Sequence, residues 1–453
     1  MTATPVTASG PRRWLRAVVL DRKETLSWAM YDWANSAFAT TVMAAVLPIY
    51  YASVAASNLP DNIRSAYWGY TNSLALLIIA LLAPVLGAVA DYMGAKKRFM
   101  GIFLMVGVLF TALLYFITQG EWLLASVLFI VANIGFAGAN VFYDSLLPHI
   151  ASDEEIDRLS TAGYALGYLG GGILLIINLL WILQPELFGI SDTTMASRLA
   201  MFSVAVWWAI FSVPLFRNVP EPPRRVASID RLGANPVRAG FSRLQHTFQE
   251  IRKYRQLLIF LIAFLFYNDG ISTIIKMATV YGTEIGIDQS ALIGALVLTQ
   301  FVGIPFSFAF GWLAHRIGSK RSIYLALTVY MFISIGGYFM AEAWHFWALA
   351  LAVATVQGGS QALSRSLYGS MVPRSQSSEF FGFFSVSSKF AGIMGPLLFA
   401  VVAQLAGSSR LSIVSLLVFF IGGMLILTQV DIEEGQRVAR LEDRQFEIVP
   451  RDA

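Results

Sequence analysis

From residue 28 onward the chain alternates long apolar runs with short polar breaks, and the runs reach the length a helix needs to cross a hydrocarbon layer. Twelve segments can be laid out, at 28–51, 65–90, 99–118, 122–147, 160–184, 198–216, 256–282, 290–314, 322–341, 346–371, 380–404 and 411–430. The pattern predicts an all-α polytopic membrane protein with 12 transmembrane helices. It divides into an N-terminal segment (1–27), a six-helix bundle (28–216), a linker (217–255), a second six-helix bundle (256–430) and a tail (431–453).

The two bundles repeat one another. Segment 2 ends in GAVADYMGAKKR, from Gly87 to Arg98, and segment 8 in GWLAHRIGSKR, from Gly311 to Arg321, displaced by 224 positions. Segment 4 ends in YDSLLP (Tyr143 to Pro148) and segment 10 in YGSMVP (Tyr368 to Pro373), displaced by 225. Segment 1 opens with YDWANS and segment 7 with YNDGIS, from Tyr267 to Ser272. Three correspondences in the same order predict duplicated, pseudo-symmetric halves.

In the linker, Val237, Phe241, Leu244, Phe248 and Ile251 fall at helical spacing with basic residues between them. That spacing predicts a surface helix on the anionic inner leaflet. For 220–235 an ordered and an unstructured linker fit the sequence equally. Residues 12–23 have the character of a short basic amphipathic helix, and the charged tail after Val430 reads as disordered.

Composition agrees with the pattern. Of 453 residues 57% are hydrophobic and only 13% charged, with a mean hydropathy of +0.64, too little charge to cover a soluble protein of this size. Residues 1–27 carry Arg12, Arg13, Arg16, Arg22 and Lys23, and their apolar run Ala17–Leu20 is too short for a signal peptide. The first long segment is therefore expected to remain as an uncleaved anchor. The chain has no cysteine, which excludes disulfides and thiolate metal sites. With the N-terminus inside, 26 of the 32 Lys and Arg residues fall in cytoplasmic segments, and only Arg64, Arg198 and Arg410 fall outside. This bias predicts both termini in the cytoplasm and accounts for the net charge of +4 without nucleic acid.

The remaining three bases, Lys276, Arg365 and Lys389, lie within apolar segments together with three acids, Asp32, Asp144 and Asp269. Ionisable residues at membrane depth normally face a protein interior or a watery passage, and equal numbers of both signs suggest pairing. The stretch Tyr31 to Tyr51 is the one the rest is arranged around, with Asp32, Asn35 and Ser36 on one helical face. Asn133, Asn140 and Asp144 share another face, and Gln357, Gln361 and Arg365 form a stripe on segment 10. Asp269 and Lys276 stand two turns apart, and Asp269–Gly270 invites local unwinding.

A cavity with charges of both signs suits a zwitterion. Arg365 is the candidate for its carboxylate, and Asp32 or Asp269 for its ammonium group. Tyr31, Trp33, Tyr143, Tyr267 and Tyr368 are candidates to surround an apolar side chain. In the other reading these charges pair as gates and never touch cargo. Asp32 and Asp269 are the candidates for proton coupling. Gly163, Gly167 and Gly171 form a small-residue stripe, expected to serve contacts within a monomer. No metalloprotease HExxH pair, phosphate-binding GxxxxGK[ST] loop or nucleophile GxSxG motif occurs, and His149, His246, His315 and His345 are scattered at segment ends or in loops. An enzyme is not indicated, and no cofactor or metal is expected.

The twelve-segment layout with its duplicated loop resembles the major facilitator superfamily. Gly87, Asp91, Gly94, Lys97 and Arg98 match that superfamily's loop after helix 2, while the copy departs from it at His315, where an acid is usual. Within the superfamily, YDWANSAFATT, FYNDGIST, GGSQALSRSLYGSMVP and EFFGFFSVSSKFAGIMGP resemble the vacuole effluxer-like family. Its fungal members are described as exporting amino acids from the vacuole during autophagy, and many bacterial members have no known cargo. The resemblance implies a major facilitator fold whose helices 1, 4, 7 and 10 line a central cavity, which takes in five of the six intramembrane charges and leaves out Lys389. It implies that Asp91 and Arg98 act in a gate that pairs across the halves and favours the outward-facing state. The function expected is secondary transport of a small zwitterionic or amphiphilic, amino-acid-like metabolite by rocking of two bundles, with protons as a candidate coupling ion. The alternative is export of drugs, siderophores or lipid-like substrates on the same fold. A bacterial inner membrane is the expected location.

Overall fold

In the computed structural model the described residues are 10–227, 235–249, 252–284, 286–287, 289–392, 394–406 and 409–448. A short helix α1 (Gly10–Ala17) precedes the first bundle, which comprises α2 (Lys23–Ala55), α3 (Asp61–Met93), α4 (Lys96–Leu113), α5 (Trp122–Ile150), α6 (Ile156–Leu183) and α7 (Thr193–Asn218). The linker helix α8 (Pro236–Gln249) leads to α9 (Arg255–Glu284), α10 (Gln289–Ile317), α11 (Ser319–Tyr338) and α12 (Ala343–Met371). The chain then continues through α13 (Ser377–Phe390), α14 (Met394–Ala406), α15 (Ser409–Ser415), α16 (Leu417–Thr428) and a tail helix α17 (Ile432–Asp443).

Ten stretches among the described residues are long and apolar enough to cross a membrane. Helices α11 and α12 are of comparable length but more polar, since α11 opens with Lys320 and Arg321 and α12 carries Gln357, Gln361 and Arg365. Each bundle has its own core. In the first, Trp28, Phe38, Phe129, Phe142 and Trp208 are fully buried, and in the second Phe260, Tyr267, Tyr330, Tyr368 and Phe420. Separate cores allow the bundles to move as two bodies. Leu81, Met105, Phe332 and Leu405 remain exposed, as lipid-facing side chains do.

Glycines determine how closely the elements approach. Any side chain at Gly167 or Gly171 would meet Ser36, so the small-residue stripe lets α6 lie against α2. On the face carrying both chain ends, the halves close along two seams. At one, a Cβ on Gly87 of α3 would stand 2.2 Å from the Ser378 carbonyl oxygen of α13. At the other, a Cβ on Gly311 of α10 would stand 2.2 Å from Thr161 Oγ1 of α6.

Several elements differ from the sequence reading. Helix α9 runs unbroken through Asp269–Gly270; the break falls instead between α13 and α14, where Gly392 has φ +108°. Helix α2 is not uniformly α-helical: Phe38–Val46 and Tyr51–Ala55 are wound wider, around Pro48, which cannot donate to the helical ladder. The basic stretch 12–23 is not one helix, because α1 ends at Ala17 and Val19 turns left-handed with φ 61°. The tail is ordered over residues 431–448. Asp431 caps α17 by accepting the Glu434 N–H at 3.0 Å, and strand β2 (Phe446–Ile448) pairs antiparallel with β1 (Arg225–Ala227) of the linker. Helix α8 does not lie bare on a leaflet: Gly240 sits against Val89 of α3, and Arg243 is buried over the Tyr92 and Phe446 rings. Its other side keeps Val237 and Phe241 exposed. Residues 228–234 and Ile251 lie outside the described residues. On the opposite face, Asp192 caps α7 by accepting the Met195 N–H at 2.8 Å, and that bond together with the Ser191 hydroxyl holds its carboxyl below the usual range.

Candidate functional site

Between the halves, a cavity of about 1010 Å³ opens on the face opposite the chain ends. Ile182, Ile274, Leu292, Phe346 and Val353 line it with apolar surface. Its polar groups include Ser36 and Thr40 of α2, Tyr164 and Tyr168 of α6, Gln300 of α10, and Gln357 and Gln361 of α12. Among the described residues lining it there is no Asp, Glu, Lys or Arg.

The charge lies one turn below that floor. Arg365 follows Gln361 along α12 and points out of its own half into the other one. Its Nη2 is 3.2 Å from Asp32 Oδ2 of α2, and its Nη1 is 3.1 Å from Asp144 Oδ1 of α5. Nε donates to Ser160 Oγ at 2.9 Å and Nη2 to the Ser160 carbonyl at 3.0 Å. The guanidinium also lies over the rings of Trp28, Tyr143 and Tyr164, at 4.9, 5.6 and 4.6 Å. Two carboxylates share one guanidinium, and the Lys389 ammonium of α13 also faces Asp144. Gly163 makes room for the cluster, since a Cβ there would come within 2.5 Å of Asp32 Oδ2.

Asn35 and Asn140 sit beside this cluster and bond to each other at 2.8 Å. Tyr31 and Tyr143 are fully buried with ring centres 4.7 Å apart, and the Trp28 indole N–H donates to the Tyr143 carbonyl at 3.0 Å. These tyrosines wall the Arg365 cluster and do not line the cavity.

Asp269 belongs to a different place. Its Oδ1 accepts the backbone N–H groups of Gly392 at 2.7 Å and Gly395 at 2.9 Å, so a carboxylate of α9 holds the start of α14 where the helix is interrupted. Lys276 donates to the Gly392 carbonyl at 3.3 Å, and the Lys389 ammonium stands 5.9 Å from the Phe136 ring centre. Tyr267 bonds Ser364 at 2.6 Å inside the second core. The structure thus brings Asp32, Asp144 and Arg365 together and leaves Asp269 apart.

On the face of the chain ends, Asp91 is buried in the seam between α3 and α13. It is paired with Lys96 and accepts the Ser378 and Glu379 N–H groups at 3.3 and 2.9 Å, placing an anion on the α13 N-terminus. Lys97 instead holds the linker, donating its N–H to the Glu221 carboxylate at 3.0 Å and its ammonium to the Phe216 carbonyl at 3.0 Å. Arg98 is exposed. Gly94 ends α3 with φ +60°, a conformation that a side chain resists. In the second seam, Asp157 of α6 accepts the hydroxyls of Ser319 and Ser366, each at 2.5 Å.

Sequence reasoning passed over Trp28, Lys96, Asp157, Ser160 and Glu379. Asp157 and Glu379 open their helices, where an acid reads as ordinary capping. Ser160 carries no charge to draw attention.

Residues 20–440 match the family model described as Vacuole effluxer Atg22 like. The uncharacterized MFS-type transporter YxiO of Bacillus subtilis (strain 168) is 42% identical over 424 residues, spanning 93% of this chain and 98% of that protein. Autophagy-related protein 22 of Yarrowia lipolytica is 26% identical over 458 residues, spanning 82% of this chain and 76% of that one. Among solved structures, the MFS proton:xylose symporter XylE bound to 6-bromo-6-deoxy-D-glucose gives a TM-score of 0.68 at 14% identity, covering 96% of this chain and 99% of that one. A bacterial homologue of the iron transporter ferroportin in its outward-facing state gives 0.64 at 13% identity, covering 90% and 98%. Likeness at such low identity establishes the fold, which is that of the major facilitators.

Proposed function

The chain belongs to the vacuole effluxer Atg22-like family of major facilitator transporters, and from that premise we propose that it moves a small amphiphilic, amino-acid-like metabolite by alternating access. It is an integral membrane transporter and not an enzyme. The observation that carries the proposal is Arg365, a cation of the second half locked between two acids of the first, directly beneath a cavity open on one face only. Such a bond exists in one state and must break when the halves part on the other side.

The distribution of Lys and Arg supports a cytoplasmic location for both chain ends, which makes this the outward-facing state in a bacterial inner membrane. The cavity's apolar walls suit the body of the cargo, and its hydroxyl and amide groups suit the polar end. The two carboxylates of the cluster suit a cargo with an ammonium group. On reaching Asp144, whose side chain keeps 19% of its surface exposed, that group competes with Arg365 and loosens the latch. Proton coupling through Asp32 or Asp144 would use the same carboxylates. A monomer is sufficient for this cycle, and no cofactor enters it.

The test is flux of labelled amino acids in proteoliposomes, with and without a pH gradient, against an Arg365→Ala control. Saturable flux that the control loses is the expected result. No flux for any amino acid, with transport of uncharged amphiphiles instead, overturns the cargo assignment.

A further inference from the structure

One buried acid is used neither by the cavity nor by the central cluster. Glu379 stands in the first turn of α13, inside the α3–α13 seam, and none of it is exposed. Both of its carboxylate oxygens are buried without a hydrogen-bond partner. Its N–H is already committed to Asp91 at 2.9 Å.

The groups around it come from five elements. Asp91 of α3 faces it and is itself paired with Lys96 of α4. Thr247 and Arg243 of α8 face it from below, with the Arg243 guanidinium 5.4 Å from the Tyr92 ring centre. Tyr368 of α12 faces it from the second half, and its phenol donates to the Phe380 carbonyl at 2.7 Å. His149 of α5 bonds the neighbouring Ser377 at 3.0 Å. The Thr247 hydroxyl and the Arg243 guanidinium are the groups that favour its anion, yet neither completes a hydrogen bond to the carboxyl, and the Thr247 hydroxyl is itself buried without a partner. A carboxylate sealed from water without a completed hydrogen bond, beside a second carboxylate, is more costly than the neutral acid. Parting of the seam removes that difference, because water then solvates the anion.

We propose that Glu379 is a proton-binding site of the transport cycle: it holds a proton while the cytoplasmic seam is closed and releases it to the cytoplasm when the seam parts. The proposal rests on the alternating-access reading above. No proton crosses the membrane through Glu379, because the floor of the cavity separates it from the outside. Its effect is linkage: one proton is released per opening, so the open-to-closed ratio rises by about tenfold per pH unit across the titration range.

The absence of cysteine allows a clean test. Spin labels on Glu154→Cys and Arg321→Cys, exposed positions of opposite halves on this face, report seam opening in nanodiscs without cargo. In the otherwise wild-type protein the open fraction should rise with pH. Glu379→Gln should hold the seam closed and remove the dependence, while Glu379→Asp should keep it with a displaced midpoint. If Glu379→Gln is poorly folded, a protonated-carboxyl infrared band that is present at acid pH, vanishes at alkaline pH and shifts in Glu379→Asp gives the same answer. Equal pH dependence in Glu379→Gln and the wild type, or the lack of such a band, overturns the proposal. A pH-linked seam in a protein that moves no amino acid would sink the cargo assignment alone.

Discussion

Replacing Arg365 by Met tests the latch at its centre. The variant keeps the bulk of the side chain but leaves Asp32 and Asp144 facing one another below the cavity. Two unit charges about 4 Å apart at an effective dielectric near 20 attract by roughly 4 kcal/mol. Removing one partner of a buried pair costs roughly 3–5 kcal/mol, because the other charge stays behind. The side chains of Asp32 and Asp144 retain 13% and 19% exposure, so one of them can take up water or a proton, which favours the lower end of that range. At 3 kcal/mol the ratio of outward-facing to inward-facing protein falls by roughly 100-fold. Ala44→Cys, on the cavity wall, serves as reporter with a membrane-impermeant thiol reagent. Labelling should slow by at least about tenfold in Arg365→Met, and flux should be lost. Neutralising the whole cluster, with Asp32→Asn and Asp144→Asn added, should recover thermal stability but not flux. Arg365→Lys should fall between, since an ammonium cannot span both acids and Ser160 as the planar fork does. Unchanged labelling and unchanged flux in Arg365→Met would remove the latch from the mechanism.

Three other perturbations follow from the same contacts. Gly87→Val places a branched side chain where even a Cβ would be 2.2 Å from the Ser378 carbonyl oxygen, so the α3–α13 seam should not close and Ala44→Cys labelling should drop. Wild-type labelling in that variant would show that the seam tolerates separation. Asp91→Asn removes the anion from the α13 N-terminus and leaves buried Lys96 without a carboxylate, with the Ser378 hydroxyl at 3.0 Å as its remaining partner, so accessibility should shift toward the inward-facing state; an unchanged thiol-labelling pattern counts against it. Asp269→Ala frees the Gly392 and Gly395 N–H groups, and should lower thermal stability by roughly 1–3 kcal/mol while leaving the Arg365 cluster intact. Loss of flux with no loss of stability would instead make Asp269 a transport residue.

The repeat of halves was legible because duplicated loops keep their glycines and bases in register, and the structure places those loops at the two seams. The intramembrane charges were legible as a set, since an apolar background makes each conspicuous. Their pairing was not. Arg365 and Asp32 are 333 positions apart, and helical periodicity says nothing about which face of one bundle meets which face of the other. The break in the second bundle had a signal that went unused. In KFAGIMGP, Gly392 supplies the positive φ, and Pro396 sits in the first turn of α14, where its missing N–H costs nothing. Asp269–Gly270 looked weaker by composition, yet Gly270 stays helical, with the Phe420 ring directly against it. The tail was misread because charge alone suggests disorder, whereas Gly435 fits against Met371 and Asp443 accepts the N–H groups of Arg374 and Ser375.

The duplication also exposes an asymmetry with mechanistic weight. Asp91 displaced by 224 positions falls on His315, so the second loop has no acid at the equivalent place. The second seam has one nevertheless, but it is Asp157, on α6 of the first half, accepting from Ser319 and Ser366 of the second. Asp91, Asp157, Asp32 and Asp144 therefore all lie on the first half, and each accepts from groups of the second. The closed interface is thus polar, with one side supplying carboxylates and the other supplying N–H, O–H and guanidinium donors. All four acids are engaged by donors. Glu379 is the exception: it lies on the second half and its carboxyl completes no hydrogen bond. Two acids are then held apart in role by their surroundings, although they share a seam and a hydrogen bond. Asp91, paired with Lys96 and bonded to the α13 N-terminus, fastens the seam, while the proposed proton on Glu379 lets the seam close around it.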